Sequence, residues 1–154
     1  MSEMLGNQYF MVRNYRAAKN EFELALKKNP LQNNLKKKLI VCYTQTGKVK
    51  QAIDMFNELI SENIGIIIDT DPIKDDCPCP ELVEQIEKLK DTHTNSLDYH
   101  LILGIVWLYC DVNKSLEYFL KAKQLEASDN NIHKTIQIIE NYLRHRVNLD
   151  KNIS

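Results

Sequence analysis

The stretch "YRAAKNEFELALKKNP", Tyr15 to Pro30, decides the fold once it is set beside "VKQAIDMFNELISENI", which begins 34 residues later at Val49. Ala18 then matches Ala52, and Phe22 matches Phe56. The match extends backwards at the same interval of 34, from Leu5 to Leu39 and from Tyr9 to Tyr43. Tyr15 answers to Val49 and Ala25 to Leu59, so size varies while apolar character holds. A fixed interval of this length is the mark of stacked supersecondary units.

Each unit holds two helical patterns. Leu5, Tyr9 and Val12 form one stripe at helical spacing, and Tyr15, Ala18, Phe22 and Ala25 form a second. Pro30 stops the second helix, with Lys27 and Lys28 in its last turn, where cations suit the helix dipole. The second unit breaks at "QTGK", and Gly47 can take the left-handed conformation that ends a helix. The small residue at Ala18 or Ala52 lets two antiparallel helices approach, and the aromatic one turn later fills the space beside it. One hairpin cannot bury its faces alone, so the next must stack on it.

The pattern returns in "LILGIVWLYCDVNKSLEYFLKAKQLEASD", with Leu103, Gly104 and Trp107, then Ser115, Phe119 and Ala122. The first unit has Leu5, Gly6 and Tyr9, then Ala18, Phe22 and Ala25, and the later copy has a connection one residue shorter. Leu39 to Leu103 is 64 residues, four short of two intervals. The segment between therefore reads as a degenerate repeat. Its first half, "IGIIIDTDPIKDDCPCP", is a poor helix. Its second, "PELVEQIEKLK", has Pro80 in the first turn and a stripe of Leu82, Ile86 and Leu89. The units span about 1–31, 32–64, 65–96 (degenerate) and 97–128 of a single domain. Ile132, Ile136, Ile139 and Leu143 give a capping helix over about 130–146, followed by a frayed tail, "NLDKNIS".

The set Leu5, Gly6, Tyr9, Tyr15, Ala18, Phe22, Ala25 and Pro30 resembles the tetratricopeptide repeat. The first signature position, usually Trp, falls on Ser2. The second unit keeps Leu39, Tyr43, Gly47, Ala52 and Phe56, with Ile40 at the small-residue position. The resemblance covers roughly residues 2–64 and 97–128 directly. It implies an all-α fold, a right-handed superhelix of antiparallel helix pairs. Its concave groove would bind a peptide or helix of another protein, making the chain a scaffold or adaptor. Groove positions carried over include Asn7, Phe10 and Met11 in the first unit, and Lys37, Lys38, Val41 and Gln45 in the second. Leu101, Ile105 and Tyr109 follow in the third, although Leu101 and Ile105 equally suit packing against the degenerate repeat. One subfamily grips acidic carboxylate tails. Its five polar positions fall here on Glu3, Asn7, Lys38, Asp98 and Ile102. Only Asn7 matches, and Glu3 and Asp98 would repel a carboxylate, so that grip is not expected.

Composition narrows the classes. A net charge of -1 argues against a nucleic-acid binder, apart from five lysines in "KKNPLQNNLKKK" between Lys27 and Lys38. No apolar run approaches a membrane span. The start "MSEMLGNQYF" does not read as a secretion signal. Cys42, Cys77, Cys79 and Cys110 suit a reduced, cytoplasmic protein, with Cys42 and Cys110 placed inside helices as small core fillers. Array ends and grooves can also pair between copies, so self-association is possible.

Cys77-Pro78-Cys79 is the most unusual local feature. With His93 and His100 it offers two thiolates and two imidazoles to zinc, but a one-residue spacing is not the common knuckle. A turn with two incidental thiols is the simpler reading, and no metal or cofactor is expected. A metal- or thiol-dependent accessory role through Cys77 and Cys79 is the alternative function. Asp69, Asp71, Asp75 and Asp76 lack the glycine and closing glutamate of a calcium loop. No phosphate loop, nucleophile elbow or H-E-x-x-H site is present, so an enzyme is not expected.

Overall fold

The computed structural model describes residues 2–88 and 96–153, with side chains described through residue 151. Among the described residues the chain is all-helical. In order come α1 (Ser2–Met11), α2 (Tyr15–Lys28), α3 (Asn33–Gln45), α4 (Val49–Asn63) and the single turn α5 (Gly65–Ile68). After a turn-rich stretch follow α6 (Cys79–Glu87), α7 (Leu97–Leu108), α8 (Val112–Leu125) and α9 (Asn130–Ile153).

Local chemistry sets these boundaries. Asn14 caps α2 by accepting from the Ala17 amide at 3.2 Å. Ser96 caps α7 through the Tyr99 amide, and Asp111 caps α8 through the Asn113 and Lys114 amides. The end of α1 and the end of α3 are built alike. The Asn14 amide donates to the Tyr9 carbonyl at 2.8 Å, and the Lys48 amide to the Tyr43 carbonyl at 2.9 Å. The intervening residue is left-handed in both, Arg13 at φ 63° and Gly47 at φ 76°. The expected role of Gly47 is thus met, and Arg13 does the same work without a glycine's freedom. In the third hairpin the amides of Cys110 and Asp111 both return to the Trp107 carbonyl, a tighter turn with no left-handed residue. Cys110 therefore lies exposed in that turn, not inside a helix as expected.

Helices α1 and α2 pack together, as do α3 and α4, and α7 and α8. Their three-residue connections fold each pair back on itself. Helix α2 also packs on α3, and α8 on α9. Phe22, Phe56 and Phe119 are all 0% exposed, beside buried Ala18, Ala52 and Ser115. Two of the rings lie on bare backbone. A methyl group on Gly6 would stand 2.7 Å from the Phe22 ring, and one on Gly104 would stand 2.8 Å from the Phe119 ring. Ser115, where the other hairpins have alanine, donates its hydroxyl to the Gly104 carbonyl at 2.6 Å and so enters the core satisfied.

Helix α4 touches α7 and α9 directly, across the residues expected to hold the degenerate repeat. Phe56 meets Phe119 at a centroid distance of 5.8 Å. Asn57 donates to the Asn131 carbonyl and accepts from the Thr135 hydroxyl, a buried polar tie between α4 and α9. The described part of the 65–88 segment gives α5, an acidic turn region and α6, which packs on α7. Glu87 at the end of α6 accepts from Trp107 Nε1 and from the Tyr118 hydroxyl, both at 2.9 Å. Leu89, the last member of the expected α6 stripe, lies outside the described residues.

Two expectations at the ends need correction. The stripe assigned to α1 is shifted. Gly6 and Phe10 are its buried residues, while Leu5 is 38% and Val12 72% exposed. Leu39, the counterpart of Leu5, is fully buried, in a helix that packs on α2. At the other end no frayed tail follows residue 146: α9 continues to Ile153, since neither glycine nor proline interrupts it.

Gly104→Ala tests the ring-on-backbone packing. The alanine gains helix propensity, but the Phe119 ring has nowhere to move. The variant is expected to lose about 1–2 kcal/mol of stability in urea unfolding. A gain in stability would show that the ring can yield.

Candidate functional site

A cleft of about 170 Å³ opens between α1, α3 and the turn region that joins α5 to α6. Helix α1 contributes Glu3 and Phe10, and α3 contributes Asn34, Lys37, Lys38 and Val41. Lys74, Asp75, Cys77 and Pro78 form the opposite wall, and Tyr109, just after α7, completes the lining.

The acidic segment is held in place by cations from the first two hairpins. Lys37 Nζ lies 3.5 Å from Asp75, and the Lys37 carbonyl accepts from the Tyr109 hydroxyl at 2.7 Å. Full burial pushes the Tyr109 phenol well above its ordinary range, so it serves as a neutral donor. Arg13 reaches Asp76 at 3.4 Å, Glu81 at 3.2 Å and the Phe10 carbonyl at 3.2 Å. The segment also braces itself. Asp71 Oδ1 accepts from the amides of Ile73 and Lys74, and Asp75 Oδ2 accepts from the amide of Asp71. The aspartates are thus engaged with backbone donors and cations.

On the other wall, Lys38 Nζ donates to Asn7 Oδ1 at 2.8 Å and sits 5.8 Å from the centre of the Phe10 ring. Glu3 accepts from Gln32 Nε2 at 3.0 Å. The ammonium groups of Lys37, Lys38 and Lys74 face a space that also contains Glu3 and Asp75.

Cys77 is half-buried in the wall, and Cys79 is fully buried as the first residue of α6. Hydrogen bonding from the neighbouring Cys79 lowers the Cys77 pKa against the opposing effect of burial, and the charges of Lys37 and Arg13 add to it. Cys79 moves the other way, well above the ordinary value, chiefly because it is buried. Burial also pushes Cys42 up to about 12, and partial desolvation takes Cys110 to about 11.

Five of the expected groove residues, Phe10, Lys37, Lys38, Val41 and Tyr109, therefore meet in one cleft. Asn7 adjoins it through Lys38, and Met11 is 64% exposed outside the lining. Gln45 lines a separate depression beside Asp98 and Tyr99. Leu101 and Ile105 are core, at 6% and 0% exposure, and present no docking surface. Sequence reasoning missed Lys74, Asp75, Cys77 and Pro78 as cleft residues and Arg13 as their anchor. The one available clue was Arg13 standing where the next unit has Gly47.

Among the described residues, no three His, Cys, Asp or Glu side chains gather to hold a metal, and His93 lies outside them. No helix among them is long and apolar enough to cross a membrane. Comparison with protein-family profiles finds no match, and comparison with curated proteins finds none.

Arg13 joins a strained turn to an ion-pair anchor, and two substitutions separate the roles. Both pairs are partly exposed, so each is worth at most about 1 kcal/mol. Arg13→Ala loses the anchor and keeps the left-handed strain, whereas Arg13→Gly loses the anchor and relieves the strain. The glycine variant is expected to be more stable than the alanine variant by about 1 kcal/mol in urea unfolding. Both should show faster amide exchange over residues 71–78 than wild type. Equal stability, or unchanged exchange, would contradict the dual role.

Proposed function

We propose that the chain is a protein-interaction module of tetratricopeptide-repeat type, a right-handed superhelix of helix pairs that docks a short acidic segment of another protein in the α1–α3 cleft. The repeated helix stop at Tyr9 and Tyr43, and the buried series Phe22, Phe56 and Phe119, support the repeat reading. The observation that carries the ligand class is Asp75 seated against Lys37. An acidic side chain on a turn is already accommodated there, with Lys38 and Lys74 lining the same cleft. Leu101 and Ile105 are taken up by the core and offer a partner nothing. What is left to recognise a partner is charge and hydrogen bonding from Asn34. The module acts by binding, and a cytoplasmic setting suits its four free thiols.

Selection from an unbiased peptide library tests this. Enriched peptides should be rich in Asp and Glu and should bind less tightly as salt is raised. Lys38→Glu, a change at the cleft surface, should weaken them about tenfold, or 1.4 kcal/mol, with an unchanged helical spectrum. Enrichment without acidic bias, or full binding by the variant, would refute the assignment.

A further inference from the structure

The cleft contains one reactive group that docking does not need. Cys77 lines it and is partly open to it, while its neighbour in the motif, Cys79, is sealed beneath. The two are separated only by Pro78, which restricts the backbone between them. The Cys77 amide is tied to the Pro72 carbonyl at 3.0 Å, so the segment carrying the thiol is ordered before any reaction. Two cations that hold the acidic segment, Lys37 and Arg13, also bear on this sulfur.

We propose that Cys77 and Cys79 are a thiol–disulfide exchange site, with Cys77 the attacking sulfur and Cys79 the resolving sulfur, acting on disulfides that reach the cleft. The arrangement divides the labour as exchange requires. The sulfur that meets the substrate lines the cleft, and its pKa lies below the ordinary thiol value. The sulfur that must wait is buried two residues further along the chain, where desolvation keeps it protonated. Cys42 is buried, and Cys110, although exposed, is held protonated by desolvation as Cys42 is.

The steps balance. The Cys77 thiolate attacks one sulfur of a disulfide RS–SR, forming Cys77–S–S–R and expelling RS⁻, which takes a proton from water. Cys79 then gives its proton to water and attacks the Cys77 sulfur. The Cys77–Cys79 bond forms and the second RS⁻ leaves, also to be protonated. The chain is oxidised by two electrons, and RS–SR is reduced to two RSH. A bond closing so short a loop is strained, and strained disulfides are the easily reduced, labile kind. The site therefore suits a reversible redox response better than a structural bridge. The inference is independent of peptide docking, since it concerns only groups within this chain.

The test uses the full chain and glutathione. Protein is equilibrated with graded ratios of glutathione disulfide to glutathione, quenched in acid, and read by intact mass and peptide mapping. Wild type should lose two hydrogens, mapped to Cys77 and Cys79, without retaining glutathione. Cys79→Ser should stop with one glutathione on Cys77, and Cys77→Ser should do neither at the same ratios. A measurement on wild type alone guards against a variant that folds poorly. The downward shift at Cys77 and the upward shift at Cys110 predict that iodoacetamide labels Cys77 several-fold faster than Cys110. First modification at Cys42 or Cys110, or a stable glutathione adduct on wild-type Cys77, would overturn the proposal.

Discussion

A phenyl ring pressed against a stretch of helix that lacks a side chain is the contact on which the first and third hairpins rest. Phe22 occupies the space above Gly6, and Phe119 the space above Gly104, each closer than any β-carbon would allow. Glycine inside a helix costs about 1 kcal/mol relative to alanine. The cost is offset because the backbone itself becomes a packing surface and the two helices close to short range. The second hairpin has Ile40 at that place, and Phe56 completes its packing against Phe119 of another hairpin. Packing within a hairpin and packing between hairpins thus share the same rings.

The stretch after α4 takes a different course. With α4 touching α7 and α9 directly, the intervening residues are free to serve as a strap beside α1 and α3. The strap is secured electrostatically at Arg13 and Lys37 and, through α6, by the grip of Trp107 and Tyr118 on Glu87. Its acidity is explained by these partners, since carboxylates facing fixed cations order a segment too polar to form a core. The same placement puts a thiol pair at the wall of the cleft.

The hairpins were legible in the sequence because their determinants are local and recur at one interval. Helix stops at Tyr9 and Tyr43, the Ala–Phe spacing and the proline after Lys28 are each read within a dozen residues. What escaped was set by distance or by context. Nothing near Arg13 announces Asp76, and nothing near Lys37 announces Asp75 or Tyr109. Leu5 and Val12 have the spacing of a core stripe, yet burial depends on a neighbouring helix that periodicity cannot supply. Leu101 and Ile105 were placed on the correct helix, but whether such residues face a groove or a core is decided by where the strap and α4 lie.

Arg13 gives the chain a topological property that plain stacked hairpins lack. Arrays of this kind assemble from neighbours, so their contacts stay short along the chain. The Arg13–Asp76 and Arg13–Glu81 pairs instead close loops of 63 and 68 residues. Closing loops of that length costs more chain entropy than closing a three-residue turn, so loosening of the turn at Arg13 would release a segment far along the polypeptide.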